Sequence, residues 1–394
     1  MTGDSQTFLT QVWGRRVHRH DLAEAIAQSY LSLADADHLV TSAGIRTPAL
    51  RVVKDGAVVP ETAYTQRASL AGAAVTGLID PRRLLEQHRA GATIVFQGLQ
   101  RYWPPITALI GALEQELGHP CQANAYLTPA GAQGFGVHAD GHDVFVLQTG
   151  GAKDWQVHLD SGVEQVHMVP GRCLYLPSGT RHAARTQDAA SLHLTLGVQH
   201  RSVHHVLRRA VDDALKHTPD VRLPGGLLAD PDAAVTLVAE ALAQLVDELT
   251  HRDPAELLAH SIDATFTSRP SRLAGALLDL HSLDTLEDRT RLRRRETALC
   301  QLRLTPDSGA ADSDAADSGA AHSGQLRLLT GDREIRMPSW LAPAMTWLAE
   351  QDTFTPHDLA EWLDPQSRLV LCRRLVREGV LRIDNPQAPT SDGR

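Results

Sequence analysis

The order of hydrophobic and polar positions changes in character along the chain, and residues 1 to about 120 mix two patterns. Apolar residues recur at helical spacing in DLAEAIAQSYLSLADADHLV, PRRLLEQHRAG and ITALIGALEQELG, which predicts amphipathic helices. LRVVKDGAVV predicts two short strands around the turn at Lys54-Asp55-Gly56, and ATIVFQG predicts a buried strand. This region therefore combines helices and strands.

From about 121 to 201 the pattern is that of short strands separated by Gly, Pro and Asp turns. The pieces are QANAYLT, HDVFVLQTG, KDWQVHL, EQVHMV, RCLYLPSG and SLHLTLGV. Closely spaced short strands without intervening helices predict an antiparallel sandwich or barrel. The chain as a whole is thus expected to be an α+β protein.

The rest of the chain returns to helices and ends in a mixed region. HHVLRRAVDDALKH and DAAVTLVAEALAQLVDELTHR carry apolar faces at helical spacing. Two strand-like stretches then flank TPDSGAADSDAADSGAAHS, which has almost no apolar bulk and is predicted to be a disordered insert near 305–324. Helix, short helix, longer helix and strand follow, the order of a winged helix-turn-helix.

Composition narrows the class of protein. A chain of 394 residues is expected to form two or three domains, and it has neither an apolar run of about 20 residues nor a signal peptide, so we expect a cytoplasmic protein without a membrane partner. The net charge of −9 disfavours non-specific nucleic-acid binding. Four cysteines lie far apart without a CxxC pair, which argues against a disulfide framework or a thiolate zinc site.

The candidate chemistry lies in NAYLTPAGAQGFGVHADGHDVFVLQTGGAKDWQV. His138-Ala139-Asp140 places an imidazole and a carboxylate at i and i+2, and in a strand these side chains point to the same face. A second imidazole would complete a two-His-one-carboxylate triad, which leaves open positions on Fe(II). The motif alone is weak in a chain with 20 histidines, because such a pair occurs by chance on solvated strands.

A third ligand is expected from a later strand. His182 follows the turn PSGTR, which can aim its ring into a barrel, and His193 in SLHLTLGV is the competitor. His142 shares the predicted strand face of His138 and Asp140, but we expect it to be a pocket-wall or solvated residue.

NAYLTPAGAQGFGVHADGHDVFVLQTGGAKDW, followed by LYLPSGTRHAA and SLHLTLG, resembles the ribosomal-oxygenase branch of the JmjC hydroxylases. The resemblance extends from RTPALRVVKDG to the winged-helix-like end. It implies a JmjC/cupin double-stranded β-helix barrel within a catalytic domain at 1–201, a helical dimerisation region at 202–270, and a winged-helix-like domain at 271–394.

The resemblance also assigns roles to particular residues. The iron ligands fall on His138 and Asp140, and the distal ligand on His182 rather than His193. The basic residue for the distal carboxylate of 2-oxoglutarate lies fifteen positions after the first ligand, at Lys153, one of only three lysines in the chain. A buried ammonium is stabilised by pairing with such a carboxylate.

Asn124, Tyr126 and Thr128 alternate on one strand face and resemble the polar pocket wall of the family. Tyr126 or Asn124 would hydrogen-bond the cosubstrate or the substrate; the alternative is that all three fill the barrel with their polar ends satisfied. The 44 positions between His138 and His182 are few for the family, which implies a shortened loop beside the substrate groove.

The resemblance implies an Fe(II)- and 2-oxoglutarate-dependent dioxygenase that uses O2 to hydroxylate a side chain of a protein or peptide, with His or Arg of a ribosomal protein as the first hypothesis. The implied partners are the protein substrate and a second copy of the chain. Two alternatives stay open: hydroxylation of a natural-product peptide or small metabolite, and a non-enzymatic cupin and winged-helix regulator that binds DNA.

Overall fold

The computed structural model describes residues 2–132, 136–185, 189–228, 231–295, 300–306 and 324–384. The chain divides into two compact units, residues 1–200 and 201–394. Almost all of the predicted disordered insert at 305–324 falls outside the described residues, so its disorder stays a prediction. In the described ranges, no helix has the length and apolar character needed to cross a membrane.

The helices of the first unit are α1 Ser5–Thr7, α2 Glu24–Tyr30, α3 Leu33–Thr41, α4 Pro81–Arg89 and α5 Pro104–Leu117, with single helical turns at Phe8–Val12, Glu61–Ala63 and Leu99–Arg101. Side chains of Asp4, Ser32 and Asp80 cap the first residues of α1, α3 and α4. The helical stretch predicted from Asp21 is two helices, because Ser32 forms a capping box with Asp35 and starts α3. Gly118, at φ +68°, ends α5 as predicted.

The strands of the first unit form one large and one small antiparallel sheet, besides a separate hairpin. They are β1 His18–Asp21, β2 Leu50–Lys54, β3 Ala57–Val58, β4 Thr65–Leu70, β5 Ala73–Ile79, β6 Thr93–Phe96, β7 Cys121–Thr128, β8 Asp143–Gly151, β9 Lys153–Leu159, β10 Gly162–Met168, β11 Arg172–Leu176, β12 Arg181–Arg185 and β13 Ser191–Val198. The large sheet has the order β1-β11-β8-β13-β7-β6-β2-β3, and the small sheet β10-β9-β12. The hairpin β4-β5 was not predicted from the sequence.

The two sheets pack against each other through apolar side chains. Val144 and Val146 of β8 share a buried cluster with Trp155 and Val157 of β9. The other face of the large sheet is covered by a larger apolar cluster, which includes Ala27 of α2 and Ile106 of α5. One face of the large sheet therefore holds the helices, and the other encloses the space beside the small sheet.

The second unit begins with three helices, the first two of which the apolar spacing predicted, and continues into a mixed region. Its elements are α6 Val203–Ala214, α7 Asp232–Thr250, α8 Pro254–Thr267, α9 Ala276–Ser282, α10 Ala342–Glu350, α11 Pro365–Arg377, β14 Leu292–Arg294, β15 Cys300–Pro306, β16 Gly324–Thr330, β17 Glu334–Pro338, β18 Thr353–Phe354 and β19 Leu381–Ile383, with single turns at Leu283–Thr285, Ser339–Leu341 and Pro356–Leu359. Two three-stranded sheets form, β18-β14-β19 and β15-β16-β17. Both contribute to one apolar core with α10 and α11.

Candidate active site

A cavity of about 290 Å³ opens between the two sheets of the first unit. Its wall comes from the inward-facing positions of seven strands, together with the segment that carries His138 and Asp140. The lining residues are Arg51, Val53, Thr93, Gln122, Asn124, Tyr126, Thr128, His138, Asp140, His142, Val144, Val146, Lys153, Trp155, His182, Ala184, His193, Thr195 and Gly197. All seven residues predicted for the site lie on this one cavity.

His138 and Asp140 lie outside the named strands, which corrects the prediction that they share a strand. His138 makes a single antiparallel bridge with His182 of β12. The His138 amide donates to the His182 carbonyl at 3.0 Å, and the His182 amide donates to the His138 carbonyl at 2.8 Å. This single bridge adds His138 to the edge of the small sheet and holds the first and third candidate ligands opposite each other.

The turn before β12 is held to the segment that contains Asp140. The Gly179 amide donates to the Asp140 carbonyl at 2.9 Å, and Gly179 has φ +83°, a conformation that favours glycine. The buried Asp143 carboxylate accepts from the Ser178 amide at 2.7 Å and from the Tyr175 hydroxyl at 2.8 Å. These bonds fix the turn that aims His182 into the cavity.

Both imidazoles are oriented by backbone carbonyls close to them in the chain. Nδ1 of His138 lies 2.9 Å from the Gly136 carbonyl, and Nδ1 of His182 lies 2.9 Å from the Thr180 carbonyl. A neutral imidazole that donates from Nδ1 keeps Nε2 as a bare ligand atom. Burial lowers the pKa of His182, which favours that neutral form.

The three predicted ligands converge on one point. The ligand atoms of His138, Asp140 and His182 lie within 4.8 Å of one another, and they form the single such group of His, Cys, Asp or Glu among the described residues. Nε2 of His182 lies 3.7 Å from Oδ2 of Asp140. Two imidazoles and one carboxylate at this spacing fit a divalent iron with open positions.

His193 and His142 both line the cavity, but neither belongs to the ligand group. His193 is 3% exposed, stacks against Tyr126 with ring centroids 5.0 Å apart, and meets the edge of Trp155 at 5.6 Å. His142 also lies outside a strand, which corrects the predicted shared strand face. The ring of His142 packs directly against Gly197, because a Cβ added to this glycine would lie only 2.7 Å from Nε2 of His142. Gly197 is near the end of β13, four residues after His193.

Lys153 is buried on the cavity wall as the first residue of β9. It is 4% exposed, and among the described residues its ammonium has one hydrogen-bond partner, the Thr128 hydroxyl at 3.1 Å. Thr93 bonds the same hydroxyl at 3.2 Å. Burial lowers the pKa of Lys153 to about 8, because a desolvated ammonium lacks a counter-charge. This environment would stabilise an anionic ligand.

The polar row on β7 is connected to its surroundings. Asn124 accepts a hydrogen bond from the Gly98 amide at 3.0 Å. Burial raises the pKa of Tyr126, whose side chain lies near those of Asn124 and Arg51. Thr128 is fully buried, and its hydroxyl accepts from the Lys153 ammonium. The structure therefore brings all three predicted wall residues to the cavity, where each has a polar neighbour.

Arg51, Thr93 and Trp155 line the cavity but were not predicted from the sequence. Arg51 lies on β2, next but one to Val53, which also faces the cavity. Thr93 is the polar first residue of the otherwise apolar strand TIVF, a signal that could have identified it. Trp155 follows Lys153 by two positions, so strand alternation alone places both on one face.

The JmjC domain family model matches residues 104–165 and 159–206, a span that contains every candidate ligand and Lys153. This part of the chain is a JmjC domain. The predicted resemblance to the JmjC-type ribosomal oxygenases is confirmed by its relatives. Ribosomal oxygenase 1 of Rattus norvegicus is 30% identical over 209 residues, which cover 44% of this chain and 35% of that protein.

Two further relatives match shorter stretches of this chain. Ribosomal oxygenase 2 of Mus musculus is 34% identical over 134 residues, 29% of this chain and 28% of that protein. The bifunctional lysine-specific demethylase and histidyl-hydroxylase NO66 of Branchiostoma floridae is 32% identical over 127 residues, 32% of this chain and 21% of that protein. The matches thus span about a third or less of these relatives' lengths.

Solved structures match this chain over nearly its whole length. The Escherichia coli ribosomal oxygenase YcfD has a TM-score of 0.53 at 17% identity, covering 97% of this chain and 98% of that one. Its complex with cobalt and 2-oxoglutarate has a TM-score of 0.51 at 16% identity, with 98% and 99% covered. At this identity the likeness shows the fold, and the predicted JmjC/cupin barrel is confirmed.

Substitution of His138 or Asp140 by Ala is expected to abolish metal-dependent turnover of 2-oxoglutarate, because each removes one of three ligands. Metal titration with Fe(II), or Mn(II) as a surrogate, should give one site in the wild type and a large loss of affinity in both variants. His142→Ala is the matched control and should keep the metal. Wild-type rates of succinate formation in both ligand variants would reject the assignment.

His182 and His193 should differ sharply in the same titration. His182→Ala is expected to lose metal, because Nε2 of His182 lies with the other ligand atoms. His193→Ala should keep most of its affinity, since it removes no ligand atom. The reverse ranking of the two variants would move the third ligand to β13.

Proposed function

We propose that this protein is an Fe(II)- and 2-oxoglutarate-dependent oxygenase that hydroxylates a side chain of a protein or peptide. The observation that carries the proposal is the presence of the ligand group and a buried lysine on one cavity. 2-Oxoglutarate is a bidentate keto acid with a distal carboxylate. Its keto acid end requires a metal with open positions, and its distal carboxylate requires a positive charge such as the Lys153 ammonium.

The residues of the chain have separate tasks in this proposal. His138, Asp140 and His182 would hold the iron, and Lys153 would pair with the distal carboxylate of the cosubstrate. When bound, the iron, 2-oxoglutarate and O2 would supply the oxidising chemistry. The protein orients the reactants and limits water, since Val144, Val146 and Trp155 form an apolar part of the wall.

The substrate class is proposed from the relatives. Their names describe ribosomal oxygenases and a histidyl-hydroxylase. We therefore propose a ribosomal protein as substrate and a His or Arg side chain as the hydroxylated group, in a cytoplasmic protein. A decisive experiment compares intact ribosomal proteins from cells with and without the gene, and searches by mass spectrometry for the loss of one oxygen atom.

The second unit is proposed to contain a dimerisation region at 202–270 and a winged-helix-like domain at 271–394. α7 carries Val235, Val238, Leu242 and Val246 at helical spacing, each more than half exposed. Its only buried residue is Ala234. An apolar stripe of this length is the kind of surface that a second copy of the chain would cover.

The winged-helix proposal rests on the order of elements after residue 338. Helix α10, the turn Pro356–Leu359, helix α11 and strand β19 follow one another, and β19 pairs with β14 beside β18. Arg368 on α11 is 7% exposed and forms an ion pair with Asp288. This arginine therefore serves the fold of the unit rather than offering a charge to DNA.

Lys153→Ala should weaken 2-oxoglutarate binding by roughly one to two orders of magnitude. The reason is that a charge-assisted hydrogen bond is typically worth about 1.5–3 kcal/mol. The measurement is a 2-oxoglutarate titration of Mn(II)-loaded protein. Metal affinity should be unchanged, because Lys153 is not a ligand.

The two other lysines of the chain, Lys54 and Lys216, are both exposed and provide matched controls. Lys54→Ala and Lys216→Ala should bind 2-oxoglutarate as the wild type does. Lys153→Arg is expected to recover part of the affinity, since a guanidinium also pairs with a carboxylate but is larger. Equal affinities of wild type and Lys153→Ala would show that the cosubstrate is held elsewhere.

Light scattering at micromolar concentration is expected to give the mass of a dimer. Leu242→Glu should shift the mass towards the monomer, because it places a charge in the middle of the apolar stripe of α7. Leu70→Glu is the control, since Leu70 is 73% exposed on the β4-β5 hairpin of the other unit. A wild-type monomer would contradict the proposed dimer.

A further inference from the structure

His193 is a buried histidine that the metal assignment leaves without a task. It is 3% exposed, lies on the wall of the cavity, and is excluded from the ligand group by its position. Of its two ring nitrogens, Nδ1 is fully buried and has no hydrogen-bond partner in the described parts of the chain. Because Nδ1 is closed off from the cavity, Nε2 is the ring nitrogen that is left to meet a ligand.

The ring of His193 is held rigidly by its neighbours. Tyr126 lies parallel to it, with 6° between the two planes, and Trp155 meets it at 84°. The pairing of β13 with β8 shifts register between Leu192 and His193, so a bulge lies beside this residue. Bulges near active sites commonly re-aim a side chain. The packing therefore fixes which edge of the imidazole meets the cavity.

The environment also selects one protonation state. Burial, with the nearby charge of Lys153, holds the pKa of His193 well below its usual range, so the ring is neutral. A neutral imidazole carries one proton, and a buried N–H without an acceptor is rarer in proteins than a buried acceptor without a donor. The proton is therefore placed on Nε2, and Nδ1 remains the bare buried nitrogen.

We propose that His193 is a second binding residue for the distal carboxylate of 2-oxoglutarate, to which its Nε2–H donates beside Lys153. A carboxylate can accept about four hydrogen bonds, so an ammonium alone does not saturate it. The inference rests on the proposed function, since it assigns a role toward the same cosubstrate. The imidazole of His193 is a neutral donor, so it does not repel the Lys153 ammonium when the cavity is empty.

His193→Phe is the sharpest test, because it keeps the ring and its stacking on Tyr126 but removes the donor. Calorimetric titration of the Mn(II)-loaded variant with 2-oxoglutarate should show binding weakened by about tenfold, the loss of one neutral hydrogen bond. Mn(II) affinity should match the wild type. His193→Gln, which restores an amide donor, should bind more tightly than His193→Phe.

His88→Phe is the matched control, because His88 is a half-buried histidine of the same unit that does not line the cavity. The 2-oxoglutarate affinity of the His88→Phe variant should equal that of the wild type. A long-range nitrogen–proton NMR spectrum of histidine-labelled protein should also show His193 with its proton on Nε2.

The outcomes separate the two proposals. Wild-type protein that binds Mn(II) but not 2-oxoglutarate would overturn the proposed function and, with it, the role of His193. Wild-type binding with equal affinity in His193→Phe would overturn the role of His193 alone. Equal weakening in His193→Phe and His193→Gln, at unchanged Mn(II) affinity, would also count against the donor, because only ring packing would then matter.

Discussion

The candidate active site depends on one pair of backbone hydrogen bonds, between His138 and His182. The bonds close a stretch of 44 positions in the chain and set two imidazoles opposite each other, with ring centroids 4.4 Å apart. Asp140 lies on the same side as His138, because side chains two positions apart point the same way in an extended backbone. The amide of Gly179 then fixes the Asp140 carbonyl from the turn. The backbone therefore positions the three candidate ligands by itself, and a metal would bind to an arrangement that is already formed.

The candidate metal ligands lie on one part of the cavity wall, and another part carries positive charge. Lys153 is buried with a threonine as its hydrogen-bond partner, and no carboxylate of the described residues forms an ion pair with it. Arg51 adds a second cation to the wall. A buried charge such as that of Lys153 is costly unless it is neutralised, so an anionic ligand in the cavity would be stabilised. The same burial that lowers the pKa of Lys153 makes its interaction with a carboxylate strong.

Much of this site could be predicted from the sequence, partly because the HxD pair has a strand period and partly because the family resemblance assigned His182 and Lys153. The HxD pair, the histidine after the Pro-Gly turn, and a rare lysine fifteen positions after the first ligand all reach the cavity. The prediction of a strand at His138 was wrong because only one residue pairs there, but the extended backbone kept the i, i+2 geometry. Arg51 was missed because no local pattern relates β2 to the motif, whereas the one local signal for Thr93 was its polar side chain at the start of the apolar strand β6. The hairpin β4-β5 was missed because its strands have mostly exposed, small or polar side chains.

Strand β9 contributes side chains to both parts of the cavity wall. Its first residue is Lys153, and Trp155, two positions later, faces the same way. Trp155 stacks on His182 with ring centroids 5.5 Å apart and presents its edge to His193. A shift of β9 by one residue would turn both Lys153 and Trp155 out of the cavity. The pairing of β9 with β10 over seven residues and with β12 over five therefore holds Trp155, beside the candidate ligand His182, and Lys153 in place together.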